Sequence, residues 1–337
     1  MSVSMKGQTP MLPPEALREL ETAGFAADLS RGILRTAQDP ELRFRRAPLE
    51  MLWSIRFAVQ YGLEPDVPLE KALLAQCSAL EVLAPEMVFE ELCGLLPLVT
   101  AEDLKRFAPV LAVVIPELKP MIGFDQRSPH HAYDLYTHVA GVVAAVPADL
   151  PLRWAALLHD IGKVPTFTMD ETGRGHFRDH AVKGAQMADS ILRRLKAPAC
   201  LREQVVLLIE NHMLWLQPEK NLLRTQISRF GLSTVYQILS LQQADNSNKG
   251  TAKSGENRKY IRILDALEEI RSEEGYLSLK DLAVTGDDLV RIGFSGRTIG
   301  LMLNWLLDQV IAENLPNERS LLLSWAERVW TDAWHNS

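Results

Sequence analysis

The sequence predicts an all-α protein. Apolar residues recur at the three-and-four spacing of a helix face in nearly every segment, and almost no stretch alternates as a half-exposed strand does. At 337 residues, 47% of them hydrophobic, the chain is long enough for two or three compact units with real cores. A run rich in Pro, Gly and Ser, VVIPELKPMIGFDQRSPHH (113–131), marks the expected boundary between them.

Each element follows from its local pattern. PPEALRELETAGF (13–25) opens with prolines, which suit a helix's first turn. LSRGILRTAQDPELRF (29–44) is polar and irregular. PLEMLWSIRFAVQYG (48–62) is amphipathic, with Leu49, Leu52, Ile55, Phe57 and Val59 broadly on one side and Gly62 as its stop. Helices are expected at about 67–82, 84–97 and 101–113, and a helical run from 131 to about 246. NSNKGTAKSGENR (246–258) interrupts the pattern as a loop or as a helix start near Ser254. A charged amphipathic helix over 258–274 follows, and then a short helix, a glycine turn and two longer helices. No internal repeat or low-complexity tract occurs.

Composition narrows the function classes. The net charge is −7, so nucleic acid would have to be met by a local basic face and not by a global field. Cys77, Cys93 and Cys200 show no CxxC spacing and read as buried thiols of a reducing compartment. No apolar run approaches the roughly 20 residues of a membrane span, and MSVSMKGQTPMLPPE lacks a signal peptide's apolar core. The expected location is the cytoplasm, with no membrane partner.

The stretch WAALLHDIGK (154–163) puts the pair His159–Asp160 at the end of an apolar helix. His138 precedes it, and His180, His212 and Asp245 follow, so the order reads H, HD, H, H, D. Imidazole nitrogen and carboxylate oxygen suit Mn, Fe, Co, Ni or Zn, and ligands so far apart in sequence must converge from several helices. An isolated His on an apolar helix is usually a core residue bonded to a carbonyl. Seven of the eight histidines, however, fall between 130 and 212.

In the contexts YTHVAGV, LLHDIGK, GHFRDHAVKGA, IENHM and QQADN, this segment resembles the HD-domain metal-dependent phosphohydrolases, with all six ligand positions of their two-metal form. The flanking segments extend the likeness. RGILRTAQDPELRF, AVVIPELKPMIGFDQRSPHHAYDLYTHV and LAVTGDDLVRIGFSGRTIGLMLNWLLDQVIAENLPNE look like a bacterial CCA-adding tRNA nucleotidyltransferase of the HD-containing type, from about residue 29 to 335.

What the resemblance implies is an elongated multi-helical protein with a central HD-domain bundle. Residues 1–28 would be the remnant N-terminal helix of a deleted head, 29–115 a neck-like helical domain, 116–250 the HD domain and 251–337 a C-terminal helical tail. His138, His159, Asp160 and Asp245 would hold one divalent metal. Asp160 would bridge to a second, held by His180 and His212, with Mg as a further candidate ion. A water shared by two cations loses its proton near neutral pH and becomes a nucleophile. Lys163, one turn after the pair, either meets a substrate phosphate or is a solvated helix-end lysine. His176 acts as a general acid or orients a ligand or phosphate.

Two departures bear on activity. The Gly-Gly turn and paired-Asp motif expected of the family's catalytic head are absent from this sequence. Where the family's neck carries a base-reading E-D-x-x-R motif, this chain has Arg46, Ala47 and Glu50, and a guanidinium cannot accept from a base amino group. Nucleotidyl transfer is therefore expected to be lost.

Two basic knots remain. Arg43, Arg45 and Arg46 form one, Lys249, Lys253, Arg258, Lys259 and Arg262 the other, and each is either an RNA-phosphate contact or a solvated face. Among them Arg43 and Arg45 are the candidate substrate-binding residues. Gly296 and Gly300 either admit a phosphate to a helix start or serve helix packing, and the tryptophans at 305, 325, 330 and 334 are expected in cores or interfaces. The expected activity is a metal-dependent phosphohydrolase or phosphodiesterase acting on nucleotide, 2′,3′-cyclic-phosphate or RNA-end esters. The alternatives are a non-catalytic tRNA- or RNA-binding relative and a partner of a separate nucleotidyltransferase subunit.

Overall fold

The computed structural model describes residues 18, 20–21, 25–28, 31–128, 132–250, 256–273, 279–311 and 314–335. It is 69% helix and 4% strand, which places the chain in the mostly helical class. The chain divides into two compact units, 1–213 with 240–252 and 214–239 with 253–337. Residues 113–128 lie inside the first unit, as do the neck-like residues 31–112.

The first unit opens with a small sheet. Strand β1 (Phe25–Asp28) pairs antiparallel with β2 (Ile33–Thr36), which pairs in parallel with β3 (Glu64–Pro65). The segment 29–44, polar and irregular as sequence, thus contains a strand. Gly32 adopts the left-handed φ of 63° that precedes it, and Leu34 is fully buried. Helices α1 (Pro40–Arg46), α2 (Leu49–Tyr61), α3 (Val67–Gln76), α4 (Pro85–Leu95), α5 (Ala101–Arg106) and α6 (Ala108–Val114) follow. Gly62 ends α2 at φ 63°, donating its N–H to the Ala58 and Val59 carbonyls, as its position in the sequence predicts.

The frame of the site comes next. Helix α7 (Leu135–Ala145) starts at Asp134, whose side chain accepts from the Tyr136 and Thr137 N–H groups, and α8 (Leu150–Leu158) starts at Asp149, which accepts from Leu152. A short turn α9 (Lys163–Thr166) leads into a hairpin of β4 (Phe167–Met169) and β5 (Gly175–Phe177), followed by α10 (His180–Arg194) and α11 (Ala199–Glu210). Helices α7, α8, α10 and α11 pack through Val139, Val143, Trp154, Ala155, Leu158, Leu208 and Ile209, all essentially inaccessible. Each large side chain buried there contributes on the order of 1.5–3 kcal/mol.

The hairpin corrects the expectation of continuous helices from 131 to 246. Asp170 Oδ1 accepts from the N–H groups of Thr172 (2.9 Å) and Arg174 (3.1 Å), and Gly173 at φ 79° closes the turn.

The second unit holds α12 (Lys220–Phe230), the first half of α13 (Leu232–Ser247), α14 (Glu256–Ser272), α15 (Gly286–Arg291), α16 (Arg297–Ile311) and α17 (Arg319–His335); the last three share a core of Leu289, Leu306, Leu307, Leu322 and Ala326, and α12 packs against α14 and α16. The short helix, glycine turn and two long helices occur in the expected order, with Gly293 and Gly296 at positive φ. A Cβ at Gly300 would meet nothing within 4 Å, so helix packing does not require that glycine. Trp305 packs against the core and Trp325 is partly exposed. Lys253 and Ser254 lie outside the described residues, as do the side chains of Trp330 and Trp334 and most of 13–25. All three cysteines are unbonded thiols, and none is fully buried as expected: Cys77 and Cys93 are partly exposed and Cys200 is exposed. Among the described residues no helix is long and apolar enough to cross a membrane.

Candidate metal centre

Six side chains singled out from the sequence meet at one point of the first unit. His138 comes from the first turn of α7, His159 and Asp160 from the end of α8, His180 from the start of α10, His212 from just past α11, and Asp245 from the last turns of α13. Their ligand atoms form two groups, each with all atoms within 4.8 Å of one another: His138, His159, Asp160 and Asp245 in one, Asp160, His180 and His212 in the other. Asp160 belongs to both. Its Oδ2 faces His159 Nε2 at 3.2 Å and His138 Nε2 at 3.5 Å, while Oδ1 faces His180 Nε2 at 3.6 Å. Asp245 Oδ1 lies 3.0 Å from His138 Nε2.

Close backbone approach makes this convergence possible. A Cβ on Gly162 would stand 2.2 Å from the His180 carbonyl oxygen and 2.6 Å from Gly184 N, so only glycine lets the first turn of α10 press onto the turn that carries Asp160. A Cβ on Gly141 would stand 2.5 Å from Asn248 Oδ1. That glycine admits Asn248, whose carbonyl holds His138.

All four imidazoles are oriented the same way. Each Nδ1 donates to a backbone carbonyl: His138 to Asn248 (3.1 Å), His159 to Ala156 (2.8 Å), His180 to Phe177 (2.8 Å) and His212 to Ile209 (2.7 Å). A neutral ring held in that tautomer presents a lone pair on Nε2, and the four Nε2 atoms point inward with the two carboxylates. This is how proteins fix histidine ligands.

Electrostatics show that the centre draws in positive charge. Burial disfavours a charge on His159, yet Asp160 and Asp245 outweigh it and push that imidazole up to about 10. Burial works against both carboxylates too, but His159 and Lys163 hold Asp160, and His138 and His159 hold Asp245, well below the usual carboxylate range. Burial pushes His180 down and His212 down to about 4, so both are neutral at pH 7. Their Nε2 lone pairs nevertheless face each other at 3.2 Å. Two acceptors that close repel unless a cation sits between them. The donor set fits one or two divalent ions.

A cavity of about 270 Å³ opens onto the centre, lined in part by Asp160, Lys163, His176, His180, His212 and Lys249. Lys163 is no solvated helix-end lysine. It is buried, with Nζ 2.7 Å from Asp160 Oδ2 and 3.0 Å from Gln126 Oε1, and it stands over the Phe177 ring. His176 sits on β5 with Nε2 2.7 Å from Asp170 Oδ2. Lys249, read from sequence only within a basic knot, pairs with Asp245 Oδ2 at 3.1 Å. Sequence reasoning passed over Gln126, Asp170 and Asn248. The one available signal was the Asp-x-Thr-Gly turn at 170–173.

The residues 43–46 lie elsewhere and are engaged differently. Arg43 makes a two-pronged ion pair with Glu50, with Nη2 3.0 Å from Oε1 and both side chains about 15% exposed. The carboxylate at the altered neck position is thereby paired within the chain. Arg45 is exposed, 3.4 Å from Glu41. Neither touches the cavity.

Comparison with known proteins finds likenesses in sequence and in fold. Residues 180–326 fit a family model for tRNA nucleotidyltransferase domain 2. The A-adding tRNA nucleotidyltransferase of Deinococcus radiodurans is 31% identical over 279 residues, covering 76% of this chain and 62% of that protein. This chain is related to the tRNA nucleotidyltransferases. A multifunctional CCA protein of Ralstonia nicotianae is 32% identical over 206 residues, 57% of this chain and 46% of the relative. The crystal structure of the Bacillus stearothermophilus CCA-adding enzyme in complex with CTP superposes with a TM-score of 0.63 at 19% identity, covering 97% of this chain and 70% of that one, and shows a shared fold. The chain spans about half to three fifths of the length of these curated relatives.

Proposed function

We propose that the first unit is a metal-dependent phosphoesterase of the HD type, acting on nucleotide, cyclic-phosphate or RNA-end phosphate esters. The observation that carries this reading is the set of four carbonyl-anchored imidazoles aimed, with two buried carboxylates, at one point beneath a cation-lined cavity. His138, His159, Asp160 and Asp245 would hold one ion, and Asp160, His180 and His212 a second. A divalent ion bound there would neutralise phosphoryl oxygens and acidify water. Lys163 holds Asp160 in place from one side, and Lys249 does the same for Asp245. Both ammonium groups line the cavity, where they favour an anionic ester. Phe177 and Met213 give the rim an apolar surface.

On this reading the chain does not transfer nucleotides by itself, because its sequence holds neither the Gly-Gly turn nor the paired carboxylates of a nucleotidyltransferase head. The purified protein with Mn²⁺, Co²⁺ or Ni²⁺ should hydrolyse a member of a phosphoester panel, and with Mg²⁺, CTP and ATP it should not extend a tRNA lacking its 3′ end. Hydrolysis of nothing in the panel by metal-loaded protein would sink the reading. A second reading, tRNA binding without catalysis, draws on the exposed Arg258, Lys259 and Arg262 of α14 in the second unit. Salt-sensitive tRNA affinity that is weakened by reversing those charges would favour it.

A further inference from the structure

We propose that His176, positioned by Asp170, is the proton donor to the leaving oxygen of the phosphate ester. The inference rests on the phosphoesterase reading and assigns a step that the metal ligands do not perform.

Three observations place the pair. His176 lines the cavity beside His180 and Lys163 but belongs to neither ligand group. Its Nε2 lies 2.7 Å from Asp170 Oδ2, and the side chain is 44% exposed, so it is within reach of a ligand and of bulk protons. Asp170 is itself fixed by four contacts: Oδ1 accepts from the Thr172 N–H and hydroxyl and from the Arg174 N–H, and Oδ2 takes the imidazole. These hydrogen bonds hold its carboxyl well below the usual range, so it remains an acceptor.

An imidazole whose Nε2–H donates to a carboxylate keeps Nδ1 as its second ring nitrogen. No hydrogen bond occupies that Nδ1 among the described residues, in contrast to the four ligand histidines, whose Nδ1 atoms are all tied to carbonyls. The ligand rings present Nε2 to the centre. His176, which lines the cavity, is held by Nε2 instead.

The step balances. Water attacks phosphorus and loses a proton to solvent, the P–O bond to the leaving group breaks, and the Nδ1 proton of the imidazolium passes to the departing oxygen. The ring ends neutral and regains its proton from water. A sugar or alkyl alkoxide is a poor leaving group without that proton, whereas an aryl oxide such as p-nitrophenolate departs without one. General-acid assistance is worth about 10²–10⁴-fold.

The test compares two esters on metal-loaded protein: bis(p-nitrophenyl) phosphate and a 2′,3′-cyclic nucleotide. His176→Ala should lower turnover of the cyclic nucleotide at least about 100-fold more than that of the aryl ester. Metal content by elemental analysis should be unchanged. Asp170→Asn should give a smaller loss of the same selectivity and should shift the alkaline limb of the cyclic-nucleotide pH profile, which a purely structural defect would not do. Equal losses on both esters, or no loss on either, would overturn this inference alone. Wild-type protein that holds metal yet cleaves neither ester would overturn the phosphoesterase reading, and this inference with it.

Discussion

Two regions of the first unit carry the clustered charge that sequence reading associates with phosphate chemistry, and the fold treats them in opposite ways. At residues 43–50 two of the three arginines are ion-paired within the chain: Arg43 grips Glu50, and the exposed Arg45 leans on Glu41. At the His/Asp centre the two carboxylates are met by Lys163 and Lys249, but two neutral imidazoles aim their Nε2 lone pairs at each other at 3.2 Å. Ion pairs near the surface contribute modestly to stability. Acceptor atoms aimed at one another ask for a cation, which makes the centre the better functional candidate.

The largest effects should follow from unbalancing the centre further. Asp160→Ala removes the one ligand common to both groups, so it should abolish hydrolysis and release both ions together. His159→Ala should also abolish turnover while leaving far-ultraviolet dichroism nearly unchanged, although removing the fully buried ring opens a cavity and lowers stability. Survival of stoichiometric metal in Asp160→Ala would show that the two groups do not share a ligand.

Lys163→Ala should act differently. It leaves a buried carboxylate short of one positive neighbour, and breaking such a pair costs about 3–5 kcal/mol. Denaturant unfolding should show most of that loss without metal and much less once metal is loaded, because the cation replaces the ammonium as counter-charge. Metal should still bind, with weaker substrate affinity or turnover. An equal loss in both conditions would mean that Lys163 serves packing alone.

A smaller and pH-dependent effect belongs to the second unit. Asp288 is nearly buried, caps α15 through Thr285 and receives Arg319 at 2.6 Å and Arg291 at 2.9 Å, and these partners hold its carboxyl below the usual range. A depressed carboxylate stabilises the folded state at pH above its unfolded value near 4, and that contribution disappears as the pH falls through the folded value. Asp288→Asn should therefore lower the unfolding midpoint at pH 7, and the gap from the unaltered protein should close on acidification below about pH 4. A gap independent of pH would refute the assignment. Smallest of all, the double change Arg43→Met with Glu50→Met should shift stability by about 1 kcal/mol or less and leave hydrolysis and metal content unaltered. A loss of hydrolysis there would return residues 43–50 to the site.

These contrasts also show what a sequence can disclose. The order H, HD, H, H, D was legible because ligand chemistry is carried by side-chain identity, and α2 with its stop at Gly62 was legible because helix periodicity and glycine's left-handed backbone are local. The hairpin at 167–177 was not, since a three-residue strand has no period to detect and its turn depends on one aspartate side chain. The partners of Lys163 and Arg43 were hidden for another reason. Gln126 lies 37 residues from Lys163 in sequence, and the pairing of Arg43 with Glu50 depends on how α1 turns into α2. The carbonyls of Ala156, Phe177, Ile209 and Asn248, which aim the four rings, have no side-chain signature at all.

The central claim is that the six convergent ligands hold metal. Elemental analysis of full-length protein purified without chelator, repeated after dialysis against Mn²⁺, Co²⁺, Ni²⁺ or Zn²⁺, measures it directly. The account predicts one to two equivalents of a divalent transition metal per chain, with a higher unfolding temperature when loaded than after chelation. Less than a tenth of an equivalent under every loading condition, with no change in unfolding temperature, would contradict it.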